Sequence, residues 1–280
     1  MIKKYRFLRS RLALWGAGMS VLVVLVSLLA PLIAPYGVSQ YTSDLLSPPS
    51  VSHYLGTDSH GRDLYSRILG GGRVTLSLAL TTVFFAGIFG TLWGLMAAYI
   101  LGIVGTLLNR GVDVVMSFPS IMLALLVLAI AGTGGKAPLV IAIAIALAPR
   151  FARVIHGSTL PILKEDFILA EKALGASHAR ILGVHVLPNL VAPITVLTSI
   201  YLPFVIILES SLSFLGLGAP PDVPTWGRII ADGKAHMQVA PWLTLFPGIA
   251  IVFTSLAFNL LGDGLRDLLD PKSSTRLYTK

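Results

Sequence analysis

The chain has 280 residues, of which 55% are hydrophobic and 12% charged, and its formal net charge is +8. Soluble domains keep about a quarter of their residues charged, so this composition, with a mean hydropathy of +0.82, excludes an ordinary water-soluble fold and points to a membrane domain. The absence of cysteine excludes a disulfide framework, a thiolate nucleophile and a Cys-ligated metal.

The basic residues are not spread as a nucleic-acid footprint, and no nucleic-acid partner is expected. Lys3, Lys4, Arg6, Arg9 and Arg11 precede the first apolar run, and Lys272, Arg276 and Lys280 follow the last. Positive residues beside spans orient a membrane protein with its basic side in the cytoplasm. The first run, 12–34, imitates a signal peptide, but it is longer than the roughly 7–15 residues of a signal h-region. Pro35 would also sit beside the scissile bond. The run reads as a retained first span.

Apolar length then predicts an all-α, polytopic bundle of six transmembrane helices at 12–34, 74–101, 112–131, 137–156, 188–212 and 241–261. Each approaches the roughly 20 residues that a 30 Å hydrocarbon core asks of a helix. The alternation Ile141–Ala148 imitates a strand, yet its surroundings are too long and too uniformly apolar for a barrel strand. Six crossings leave both termini in the cytoplasm, segments 35–73 and 213–240 outside, and 157–187 inside. Charges agree: Arg62, Arg67 and Arg73 are balanced outside by Asp44, Asp58 and Asp63, while Arg150 and Arg153 lie at the inner boundary. The corresponding division of the chain is 1–72 for the N-terminal tail, first span and outer loop, 73–267 for the permeation core, and 268–280 for a cytoplasmic tail.

Before the second span, Ser47–Asp63 is rich in turn residues, and DLYSRILGGG suggests a short separate amphipathic helix with Leu64, Ile68 and Leu69 on one face. Within the span, Ala86, Gly90, Gly94, Ala98 and Gly102 form a small-residue stripe that lets another helix approach closely. That stripe suits packing inside the bundle or a seam against a second membrane subunit. Gly216–Gly227 repeats the turn-rich composition at the other outer segment.

No residue pattern supplies an engine. GTGGKA (Gly132–Ala137) lacks the glycine spacing of a phosphate loop and has Ala137 where Ser or Thr is needed. His53, His60, His156, His178, His185 and His236 show no metal-ligand spacing, and no catalytic residue is expected. Glu209, near the outer end of the fifth span, is the clearest ionisable residue at membrane depth. Its readings are a hydrated or ion-paired outer group, or a part of the pathway. Asp113 lies at a boundary.

The inner segment is the exception to the apolar theme. Leu169–Asn189 reads LAEKALGASHARILGVHVLPN. Gly175 interrupts a helix-forming stretch, Ser177 can cap a second helix, and Pro188 suits the first turn of the fifth span. A helix, a Gly bend and a helix held between spans can pass a push into the membrane, or lie on the lipid surface.

This stretch resembles the coupling loop of permease subunits of bacterial ATP-binding-cassette importers, whose signature is EAA, three residues, Gly, nine residues, Ile, one residue, Leu-Pro. Anchored on Gly175 and Leu187-Pro188, Leu169, Ala170 and Glu171 stand at EAA, and His185 stands at Ile. ALGAS (Ala173–Ser177, with Leu174, Gly175 and Ala176) and HVLPN (His185–Asn189) are similar to the peptide-importer version. LGTDSHGRDLYSRILGGGRVTL (Leu55–Leu76), SLSFLGLGAPPDVPTWG (Ser211–Gly227) and Pro241–Pro271 extend the resemblance over essentially the whole chain.

The resemblance implies the second permease of a dipeptide, oligopeptide or nickel importer in the bacterial inner membrane. It implies as partners a second permease, two ATPase subunits that carry ATP-Mg, and an extracytoplasmic substrate-binding protein. This chain would bind no cofactor of its own. Leu169, Ala170, Glu171, Ala173–Ser177, Leu187 and Pro188 would serve ATPase coupling. Without a histidine or carboxylate cluster, peptides are the expected cargo, with nickel, metal chelates or glutathione as alternatives. An ion-coupled carrier acting alone is the reading from a different class.

Overall fold

The computed structural model describes residues 11–132, 135–220 and 222–269. The flanking Lys3, Lys4, Arg6, Arg9, Lys272, Arg276 and Lys280, and the centre of the GTGGKA stretch, lie outside the described residues. Among those described, the chain is helical, with one isolated antiparallel bridge between Thr57 and Asp63.

The first apolar run forms α1 (Arg11–Leu28) and a short α2 (Ala30–Ile33). The helix does not reach Ala34 as one piece, because Pro31 offers no N–H and its ring crowds the preceding turn. After an irregular segment comes α3 (Leu64–Tyr99), of 36 residues. At 1.5 Å per residue it is about 54 Å long and overruns the hydrocarbon core.

The separate outer helix and the span expected to start at 74 are thus one helix, and position 73 falls inside it. Asp63 starts it: its carboxylate accepts from the Ser66 backbone N–H at 2.8 Å and from the Ser66 hydroxyl at 2.7 Å, a side-chain cap. The run Gly70–Gly72 does not break the helix. It is the place where neighbours press in, Val38 on Gly70, Ile229 on Gly71, and Ser27 and Trp226 on Gly72.

The expected third span, 112–131, is the largest departure. It is split into α4 (Ile103–Met116) and α5 (Ser120–Ala131), which meet at 96°. The break is at Ser117-Phe118-Pro119: Pro119 cannot donate, and it disfavours helical backbone at Phe118. The Trp93 indole donates to the Leu108 carbonyl at 2.9 Å, which ties α4 to α3.

The remaining elements are α6 (Lys136–Ile162), α7 (Asp166–Ala173), a continuous α8 (His178–Phe214), α9 (Trp226–Gly233) and α10 (Trp242–Leu269). Among the described residues, four helices (α3, α6, α8 and α10) are long and apolar enough to cross a membrane, or five spans if the bent α4–α5 pair counts as one. The apolar helix Leu12–Leu28 is shorter.

The core lies where α3 packs on α6 and where α8 packs on α10, α3 and α6, while α10 also runs along α1. Val83, Ala86, Ile143, Leu147, Phe151 and Ile155 are buried there. Phe84, Phe89, Leu92, Val252 and Leu256 point outward and are exposed. That surface suits hydrocarbon, in which backbone groups must find their partners inside the helix.

Candidate functional site

The hairpin between α6 and the long part of α8 is built by a helix stop and a helix start placed side by side. α7 ends at Ala173, and Gly175 adopts φ +78°. The Ala176 N–H then donates to the Glu171 carbonyl at 3.0 Å and the Gly175 N–H to the Lys172 carbonyl at 3.1 Å. This is a Schellman closure, whose left-handed residue strongly favours glycine. Two residues later the Ser177 hydroxyl accepts from the Arg180 N–H at 3.3 Å and starts the next helix.

The second helix does not stop before the fifth span. It passes through a π-helical turn at Ile181–Val186 and continues from Leu187 to Phe214. The Leu187 N–H donates to the Leu182 carbonyl, five residues back. Pro188 brings no N–H, so a wider turn just before it absorbs the missing bond. Pro188 therefore sits within a continuous rod instead of opening a new helix.

The hairpin divides into a buried root and an exposed tip. Ile168, Ile181, Val186 and Leu190 are fully buried. Leu174 is 84% exposed and Leu169 51% exposed, with Phe167 also exposed. Ala170, Ala173, Ser177, Leu187 and Pro188 are exposed, and Ala176 is half-buried. Nothing lies within 4 Å of where a Cβ on Gly175 would be. The tip thus presents apolar side chains outward on a polar collar.

Polar contacts tie the collar together. Glu171 Oε1 lies 3.3 Å from His185 Nε2, and Glu171 Oε2 lies 3.5 Å from Arg180 Nε. Glu171 and His185, two of the positions that depart from the signature, thus face each other. The Tyr99 hydroxyl, at the end of α3, hydrogen-bonds His178. Asp113 of α4 pairs with Arg153 of α6 and lies 3.7 Å from Arg110. Sequence reasoning missed these ties, although the clustering of Arg150 and Arg153 marked this end of the bundle.

Gly90 and Gly94 lie against Ala148, Phe151 and Ala152 of α6, so close that a Cβ at either would fall within 3.0 Å of backbone. Ala86 and Ala98 are buried on the same helix. Gly102 does not belong to this stripe: it lies beyond the helix end with φ +81° and caps α4.

On the other side, the irregular segment is fastened to α3, α9 and α10. His53 Nδ1 contacts Asp63 Oδ1 at 2.9 Å. Arg62 binds Asp58 at 2.6 Å, and Arg62, Arg67 and Arg228 converge on Asp232 at 3.8, 3.6 and 3.0 Å. Arg67 is 3% exposed. The indole of Trp226 donates to the Ile68 carbonyl at 2.9 Å and that of Trp242 to the Thr57 carbonyl at 3.3 Å.

Glu209 lies inside the bundle, with no ion pair among the described residues. It is 1% exposed and takes a hydrogen bond from the Ser213 hydroxyl at 2.7 Å.

Residues 90–275 match the family described as binding-protein-dependent transport system inner membrane component, and residues 4–49 match the N-terminal TM domain of oligopeptide transport permease C. The glutathione transport system permease protein GsiD of Escherichia coli O6:K15:H31 is 43% identical over 269 residues, 95% of this chain and 88% of that protein. GsiD of Pectobacterium atrosepticum is 42% identical, over 95% of this chain and 89% of its own length. Among solved structures, inward-facing conformations of the MetNI methionine ABC transporter align with a TM-score of 0.56 at 19% identity, over 71% of this chain and 96% of that one. A second crystal form gives 0.55 at 18%, over 72% and 97%. These two show a common fold. The signature-bearing hairpin, the helical bundle and the match over residues 90–275 lead to one conclusion: the chain belongs to the inner membrane components of binding-protein-dependent transport systems, and it is a permease subunit of an ABC importer, not an enzyme.

Proposed function

We propose that the chain forms one half of a translocation pathway for short peptides. A second permease supplies the other half, two ATPase subunits carry ATP-Mg, and an extracytoplasmic binding protein delivers cargo. The bent α4–α5 pair counts as one crossing and α1 as the first, which gives six crossings of the inner membrane with both termini in the cytoplasm. The exposed tip at Leu169–Leu174 seats in a groove of an ATPase subunit. Closure of the ATPase dimer then moves α8 as a rigid body against the partner bundle.

The observation that carries this reading is the tip itself, with Leu174 84% exposed on a glycine turn at φ +78°. Within the peptide class, a glutathione-like tripeptide is favoured, since relatives 43% identical over 95% of the chain are named as glutathione permeases. The test is uptake by the assembled importer in proteoliposomes, with labelled glutathione, a dipeptide and nickel offered separately. ATP-dependent uptake of glutathione or of the dipeptide is expected. Uptake of nickel alone would overturn the substrate class, and uptake by this chain alone under an ion gradient would overturn the architecture.

A further inference from the structure

Arg150 is a charged group for which the coupling hairpin has no use. Apolar run length sets it at the inner boundary, but the continuous helix carries it deeper. It lies about 21 Å from the Lys136 end of α6 and about 18 Å from the Ile162 end, at 1.5 Å per residue. Arg153, one turn on, pairs with Asp113 of α4, whereas the Arg150 guanidinium turns to α8. There it lies over the Phe204 ring, 4.8 Å from the centroid, and its charge acts on the Tyr201 hydroxyl. The Tyr201 and Phe204 ring centroids are 6.2 Å apart. Phe204 is about 15 Å from the end of α8 at Phe214, half the thickness of a hydrocarbon core of about 30 Å. Arg150, Tyr201 and Phe204 are each half-buried, so all three reach the surface of the single chain.

A guanidinium cannot shed its charge as a buried carboxyl can. At membrane depth such a group is costly and faces a bundle interior or a water-filled passage, paired with an anion. Among the described residues no carboxylate forms an ion pair with Arg150, while Arg110 and Arg153 share Asp113 and Arg180 has Glu171. The face of Phe204 orients the guanidinium without neutralising it. Room lies next to the cluster. Leu187, Ile194 and Thr198 of α8 line a groove of about 870 Å³ against α3, and Tyr201 continues that face of α8 at helical spacing.

We propose, on the reading that short peptides cross between this bundle and a second permease, that Arg150 is a mid-membrane station for the cargo's carboxylate. The guanidinium fork offers two parallel N–H donors, which match a carboxylate and no neutral group as well. Tyr201 and Phe204 form an aromatic shelf beside it, against which the rest of a short peptide lies. Every unmodified peptide carries a terminal carboxylate, so the station accepts the class without reading side chains. The same fixed positive charge repels a bare divalent cation, which sets this passage against nickel ions. A single arginine gives a hold strong enough to favour entry and weak enough to let the cargo leave.

The experiment measures uptake and ATP hydrolysis together by the assembled importer in proteoliposomes, with the binding protein saturated. Labelled glutathione and a labelled dipeptide are each offered beside the amide that masks their carboxylates. Arg150→Gln should lower uptake of the free acids about tenfold, carry the amides no worse than the parent does, and keep stimulated ATP hydrolysis within about twofold. Arg150→Lys, with the charge but not the fork, should fall between. Undiminished free-acid uptake by Arg150→Gln would overturn the station. So would equal losses for acids and amides, or a joint loss of uptake, ATP hydrolysis and assembly that Arg150→Lys fully restores, the mark of an ion pair with the second permease. Should Arg150→Gln not assemble, Arg150→Lys decides: less free acid moved per ATP than by the parent supports the station, and parity overturns it. A parent importer that takes up neither peptide would bring down the peptide reading itself, and the station with it.

Discussion

His185 Nε2 faces Glu171 Oε1 at 3.3 Å, and the pair joins the end of α7 to the π-helical turn of α8. The importer signature places Ala and Ile at these two positions, and here a carboxylate and an imidazole replace a small and an apolar residue. A partly buried pair of this kind is worth about 1 kcal/mol, and removing one partner strands the other. Glu171→Ala alone and His185→Ile alone should each lower ATP-driven uptake several-fold. The double variant, which restores the signature at both positions, should recover to within about twofold of the parent, a coupling that a double-mutant cycle reads directly. Additive losses would sink the pairing.

Gly175 tests the turn itself. Its φ of +78° costs a side-chain-bearing residue roughly 1–2 kcal/mol, except that Asn tolerates this region better. Because nothing lies within 4 Å of the Cβ position, any loss on substitution comes from the backbone or from a docked partner, not from a clash inside the chain. Gly175→Asn should retain most uptake and Gly175→Trp should lose nearly all of it, with both proteins inserted in the membrane at parental levels. Quantitative blotting of membrane fractions beside the uptake assay separates the two effects.

The close contact of α3 with α6 sets opposite outcomes for two glycines. Gly90→Leu must displace the backbone at Ala148, and overpacking of this kind costs about 1–3 kcal/mol. Gly157 lies in α6 with open space around it, so Gly157→Ala should gain up to about 1 kcal/mol from helix propensity. Thermal unfolding in detergent should move down for the first and slightly up for the second.

Asp232 is the acceptor on which Arg62, Arg67 and Arg228 converge. Asp232→Asn leaves the buried Arg67 with Asp58 alone at 3.6 Å. Breaking a buried ion pair typically costs about 3–5 kcal/mol. The variant should unfold at markedly lower temperature and expose the segment before Asp63 to protease, whereas Arg228→Gln, on the half-exposed rim, should do so only weakly. Equal effects from the two would refute the central place of Asp232.

Much of this architecture was legible from apolar run length, because hydrocarbon thickness sets helix length whatever the packing. The hairpin was legible too, since Gly175 and Ser177 carry local backbone preferences that no tertiary contact had to supply. The α4–α5 bend was written in Pro119 but hidden by the apolar residues around it, which read as one uniform run. The start of α3 at Leu64 was missed because apolar length alone sets a span and the polar residues before position 74 fall outside it. The Trp226 ring that leans on Gly72 comes from more than 150 residues away in the chain. The Arg67 partners and the facing of Glu171 with His185 depend on three-dimensional placement that spacing alone does not encode.

The unbroken course of α8 from His178 to Phe214 has a mechanical consequence. A rod of 37 residues spans about 55 Å at 1.5 Å per residue. If it pivots at one end, a tilt of only about 5° sweeps the other end through roughly 5 Å, comparable to the width of a small solute. With no flexible joint to dissipate the stroke, the π-helical turn and the internal Pro193 and Pro203 set its compliance. On the proposed coupling, torque applied at the Gly175 hairpin would reach the far end of the rod by leverage, with no chain of relayed contacts in between.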